Sequence, residues 1–126
     1  MQILVDTSIW IDFFKKGEKS LKLDDLLVDD RVVINDIILA ELIPVLHLKK
    51  QFTIIDLLKN VVFYPLAIDW NQIIEWQTMC LNSGINGIGI PDLLITQNAV
   101  QNNFPVYSLD KHFRTLSKIS GLQLFE

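Results

Sequence analysis

The sequence predicts an α/β fold, with a central, mostly parallel sheet of about five short strands flanked by helices. Three observations lead there. Short apolar runs such as ILV (Ile3–Val5) and RVVI (Arg31–Ile34) alternate with longer helix-like stretches along the chain. These runs are apolar at consecutive positions, the pattern of strands covered on both faces. Helix stop and start signals, Ser83-Gly84 and Pro91, punctuate the second half.

The elements follow in order. Ile3–Val5 is a short buried strand, and Ser8–Lys16 a helix with Ser8 as its N-cap. Leu21–Val28 is a second helix and Arg31–Ile34 a strand. Asn35 or Asp36 caps a helix carrying IILAEL, in which Pro44 forces a kink or a new start. Lys50–Leu58 is helical, and Val61–Phe63 is a weak strand. Asp69–Asn82 is a helix that stops at Ser83-Gly84; Pro91–Asn102 carries its proline in the first turn. Pro105–Ser108 is a strand, His112–Ser117 a short helix and Leu122–Phe125 a last strand.

At 126 residues, half of them apolar, the chain reads as one domain spanning 1–126 with a substantial core. A net charge of −4 gives no general attraction to nucleic acid, although a bound cation would change the local sign. The single cysteine, Cys80, cannot form an internal disulfide, and the N-terminus has no basic, apolar leader. A reduced, cytoplasmic protein is the expectation. No run is apolar enough to span a membrane, because Leu93–Leu109 is broken by Gln97, Asn98, Gln101, Asn102, Asn103 and Pro105. A mean hydropathy of +0.32 is high for so small a chain and points to a covered surface, in a dimer or with a partner.

Ligands in parallel sheets sit at the carboxyl ends of the strands. Asp6 follows ILV directly, Asp110 follows VYSL, Asp92 opens the helix after NGIGIP, and Glu41 lies in the helix after RVVI. Four carboxylates gathered at one edge repel each other and raise one another's pKa values. A hard divalent cation, Mg²⁺ or Mn²⁺, resolves that conflict because it prefers oxygen ligands. Asp92 also gains from a first helical turn, where the helix dipole favours an anion.

The stretches VDTSIWIDFF, AEL, PDLLI and SLDKHF, in this order, resemble the PIN-domain ribonucleases, most closely the toxin halves of VapBC toxin–antitoxin pairs. The resemblance covers essentially the whole chain. It implies a PIN-like three-layer fold and an Mg²⁺-dependent endoribonuclease with site acids Asp6, Glu41, Asp92 and Asp110. Asp6, Asp92 and Asp110 are the expected metal ligands. Thr7 and Ser108 are the expected orienting hydroxyls, Ser108 taking a place often held by threonine. An antitoxin partner and a homodimer are implied as well. Two departures stand out: Pro44 follows three residues after Glu41, and Thr96 and Gln97 replace small residues after PDLLI. The glycines of NGIGIPD do not form a nucleotide-binding fingerprint.

Other residues have plainer readings. Asp110 can serve as a helix N-cap for KHFRTL. His47 and His112 have no metal-spaced partner and read as surface or packing residues. Cys80, Trp70 and Trp76 read as packing. Lys111 and Arg114, beside Asp110, are the candidate contacts to an RNA backbone. The first helix is apolar on most of its circumference, so Trp10, Phe13 and Phe14 read as a partner surface, with burial under the next helix as the simpler alternative. Two other functions compete. A catalytically inactive PIN-like binding module keeps the fold without the chemistry. A haloacid-dehalogenase-like phosphatase wants a second acid where Ser8 stands.

Overall fold

A computed structural model describes residues 1–126. All four of its strands are where the sequence places them: β1 (Ile3–Val5), β2 (Val32–Ile34), β3 (Val62–Phe63) and β4 (Val106–Tyr107). All pair in parallel, in the order β3-β2-β1-β4. Every residue of β1 and β2 is buried, which is why those strands show no polar alternation. The expected fifth strand at Leu122–Phe125 is reduced to one parallel bridge, Val106 to Leu124.

Seven helices flank the sheet: α1 (Thr7–Phe14), α2 (Leu21–Val28), α3 (Asp36–Leu48), α4 (Phe52–Lys59), α5 (Trp70–Asn82), α6 (Ile90–Asn102) and α7 (Lys111–Ser120). Contacts divide them into α1–α4 and α5–α7, joined where α3 meets α6. Three starts differ from the sequence reading or settle it. Asp6, not Ser8, caps α1; Asn35, not Asp36, caps α3, accepting from Ile38 N at 3.1 Å; and α4 begins at Phe52. Helix α3 runs through Pro44 without interruption, so Pro44 costs it only the hydrogen bond to the Ala40 carbonyl. After α5 the chain turns at Gly84, whose φ of +74° favours a residue without Cβ.

Helix α6 is the central helix of its group, buried continuously from Leu93 to Ala99. The three polar residues in that run are also buried, and two of them hold neighbouring backbone. Gln97 donates to Asp69 O at 3.0 Å and accepts from Asp69 N at 3.1 Å; Asn98 donates to Pro65 O at 3.2 Å and accepts from Asn35 Nδ2 at 3.0 Å. These contacts dock the strandless segment between β3 and α5 against α6. No helix is long and apolar enough to cross a membrane.

The sheet order sets the position of the site. From β1 the chain moves to β2 and then β3 on one side, and returns to add β4 on the other. The carboxyl ends of β1 and β4 therefore lie side by side at a topological switch point, where open α/β sheets form crevices.

Candidate active site

Asp6 leaves β1 at this switch point and is buried. Its Oδ2 accepts from Ser8 Oγ at 2.9 Å, from Ser108 Oγ at 2.8 Å and, at a long 3.4 Å, from Ser8 N. The two hydroxyls are fixed in turn, because Leu109 N donates to Ser8 Oγ at 3.0 Å and Asp110 N to Ser108 Oγ at 2.9 Å. Each hydroxyl thus spends its one proton on Asp6 and accepts a backbone N–H, which locks the loop after β4 onto the start of α1. Ser8 was expected only as a cap; its hydroxyl is instead a structural partner of Asp6.

Glu41 reaches the same rim from α3, where Thr7 Oγ1 donates to its Oε1 at 3.0 Å. Partial desolvation raises the Glu41 pKa above its ordinary value. The charges of Asp6 and Asp92 push the same way, and the Thr7 hydrogen bond opposes them. Asp92, in the first turn of α6, is raised for the same leading reason. Asp110 and Asp6 add to the rise, and a hydrogen bond from His112 works against it. Four acids far apart in sequence therefore sense one another's charge across the end of the sheet.

His112 is the site residue that sequence spacing missed. Its Nδ1 donates to Asp92 Oδ2 at 2.8 Å and lies 3.5 Å from Asp110 Oδ1. Asp110 caps α7, its Oδ1 accepting His112 N at 2.9 Å, so one helical turn positions both groups. The partner that gives His112 its role, Asp92, is twenty residues upstream on another helix. The only local signal was a histidine two positions after the last acid.

A pattern unites the acids. Asp6 takes its protein hydrogen bonds on Oδ2, Glu41 on Oε1, Asp92 on Oδ2 and Asp110 on Oδ1. The second oxygen of each has no protein donor. Four oriented carboxylates, each with a spare oxygen, make a hard donor set of the kind that suits Mg²⁺ or Mn²⁺.

Comparison with protein families matches residues 3–119 to the PIN domain. The chain belongs to the PIN-domain family. Solved structures agree in fold. VapBC2 of Rickettsia felis, bound to a DNA fragment from its promoter, aligns at a TM-score of 0.76 and 21% identity over 99% of this chain and 98% of that one. VapBC-1 of nontypeable Haemophilus influenzae aligns at 0.73 and 24% over 100% and 98%. VapBC-5 of Mycobacterium tuberculosis, a member of the VapBC family of toxin–antitoxin systems, aligns at 0.72 and 22% over 99% and 98%. No curated protein matches the chain in sequence.

Around the acidic rim of this PIN domain, Lys111 and Arg114 border a small pocket of about 170 Å³ shared with Ser108, Asp110 and Glu126. Arg114 is already paired with Glu126, leaving Lys111 as the unpaired cation of this pocket. The expected aromatic partner surface needs a correction. Trp10 is fully buried, packed against Phe13 and Phe14 at ring-centre distances of 6.4 and 5.8 Å. It belongs to the core, as the simpler alternative had it. Phe13 and Phe14 are only partly buried and line an open groove of about 460 Å³ with Leu21, Ile54 and Leu57.

Proposed function

We propose that this PIN domain is a divalent-metal-dependent endoribonuclease and the toxin half of a toxin–antitoxin pair. The observation that carries the reading is the set of spare carboxylate oxygens on Asp6, Glu41, Asp92 and Asp110 at one switch point. Asp6, Asp92 and Asp110 would hold Mg²⁺, or Mn²⁺ in its place. When bound, such an ion lowers the pKa of a water and draws charge from a phosphodiester.

The protein's own groups divide the remaining work. Ser8 and Ser108 hold Asp6 in one orientation. Thr7 aims Glu41, whose raised pKa suits it to orient the attacking water and accept its proton. Lys111 meets the backbone of the RNA. RNA as the substrate follows from the resemblance to PIN-domain ribonucleases, and action in the cytoplasm from the single, buried cysteine. The antitoxin reading draws support from the VapBC complexes that share the fold and from the apolar groove at Phe13 and Phe14, which a partner's apolar side chains would fill. A homodimer draws support from the exposed apolar side chains of α5.

The test is incubation with mixed RNA, with and without Mg²⁺ or Mn²⁺, repeated with Asp6→Asn. Cleavage that needs the ion and disappears in the variant supports the reading. Cleavage that survives EDTA or Asp6→Asn refutes it, and no cleavage of any RNA leaves the inactive binding module in its place.

A further inference from the structure

The geometry points to His112 as a nitrogen ligand of the metal centre proposed above, on which this inference rests. The centre would then be a mixed one, the carboxylates of Asp6, Asp92 and Asp110 with an imidazole, that favours Mn²⁺ over Mg²⁺. Asp92, Asp110 and His112 each present a donor atom, and the three atoms lie within 4.8 Å of one another. His112 Nδ1 is 2.8 Å from Asp92 Oδ2 and 3.5 Å from Asp110 Oδ1. Neighbouring ligands on an octahedral ion with bonds of about 2.1 Å are about 3 Å apart, so groups this close can share a cation, which would replace the proton between Nδ1 and Asp92 and take the spare oxygens of the two carboxylates.

The arrangement is also rigid. Asp110 and His112 share the first turn of α7, and the Asp110 carboxylate is tied to the backbone of His112 at 2.9 Å. The backbone of α7 can stay in place while the half-exposed His112 ring and the Asp92 carboxylate turn off their 2.8 Å hydrogen bond to face an ion. In the metal-free protein Nδ1 donates to Asp92, which keeps the carboxylate and the ring facing each other. Imidazole nitrogen is a softer donor than carboxylate oxygen. It gains more from later first-row ions than from Mg²⁺, which prefers an all-oxygen shell.

The alternative is that His112 acts as a built-in countercation that offsets carboxylate repulsion and leaves when the ion enters. The two roles give opposite results on removal. A ligand's loss weakens ion binding, and Mn²⁺ more than Mg²⁺. A countercation's loss strengthens both.

The deciding experiment is electron spin echo envelope modulation on tag-free protein loaded with Mn²⁺, together with calorimetric titration of Mn²⁺ and Mg²⁺. The wild type is expected to show nitrogen modulation from a directly bound imidazole, and His112→Ala and His112→Asn to lack it. The Mn²⁺ Kd is expected to rise about 10- to 100-fold in both variants, and the Mg²⁺ Kd less than about threefold. The wild-type spectrum stands even if a variant folds poorly. Mn²⁺ bound without nitrogen modulation overturns the ligand role and leaves the metal centre intact, as does tighter or equally weakened binding of both ions. Failure of the wild type to bind Mn²⁺ or Mg²⁺ at all removes the metal centre, and this inference with it.

Discussion

Glu41 and Asp92 hold their protons more tightly in the folded chain than carboxyl groups do in water, first because of desolvation and then because of their acidic neighbours. In the pH window from about 4 up to their raised values, the folded state therefore binds protons that the unfolded state has released. Folding stability from these two groups is complete below that window and is lost as pH rises through it. With chelator present, Glu41→Gln is expected to match wild type in Tm at the acid end and to exceed it at neutral pH. Thermal melts of both proteins across that range check this, and a Tm difference that ignores pH would show that Glu41 is not under strain. Asp6 was legible on its own, because a carboxylate directly after a buried strand is conspicuous, whereas Glu41 and Asp92, inside helices, stood out only through their order along the chain and the family resemblance. His112 was not, because its meaning comes from Asp92 on another helix. Trp10 is buried although α1 is apolar nearly all round, and that pattern does not say which of its aromatics lies inside. Its burial now makes Trp10→Ala expensive, about 3–5 kcal/mol by denaturant unfolding. A loss below about 1 kcal/mol would contradict its place in the core.

Among the elements, α3 shows how one side chain joins local and distant structure. Asn35 is fully buried; its Oδ1 caps the helix at Ile38 N and its Nδ2 donates to Asn98 on α6. Asn35→Ala leaves a buried N–H and a buried carbonyl oxygen unpaired, a loss of about 2–4 kcal/mol. Asn35→Asp keeps the cap but turns a carboxylate toward the Asn98 oxygen, so it is expected to destabilise as well. A cap-only role would leave Asn35→Asp close to wild type in its denaturation midpoint, which separates the two accounts. The strand–helix order was readable because fully buried strands are apolar at consecutive positions and Pro91 and Gly84 mark boundaries. The C-terminal strand was overread, since Leu122 and Leu124 look strand-like but only Leu124 pairs with β4. Thr96 and Gln97 stand out in the sequence only as a departure in packing. Gln97 and Asn98 prove to be the staples for a segment with no secondary structure of its own.

Across the whole molecule, the high mean hydropathy has a location. Helix α5 buries Ile73, Trp76 and Cys80 on one side. About 100° round the helix from that side, Trp70, Ile74 and Leu81 fall on one stripe by helical spacing and are 54%, 62% and 56% exposed. An apolar arc that continues from the buried side onto an exposed stripe is unusual at a free surface. The Phe13–Phe14 groove is lined by α1, α2 and α4, in the other group of helices, so one chain has room for two different neighbours. If the stripe mediates self-association and the groove takes an antitoxin, the two must separate by mutation. Trp70→Glu places a charge in the stripe without touching the buried side of α5. It is expected to convert a dimer to a monomer in light scattering while leaving Tm within a few degrees of wild type under conditions where both are monomeric. Phe14→Glu is expected to leave the dimer intact and to weaken binding of the proposed antitoxin. Loss of both properties in either variant would mean that the two surfaces act as one, and an unchanged mass for Trp70→Glu would remove the stripe as the self-contact.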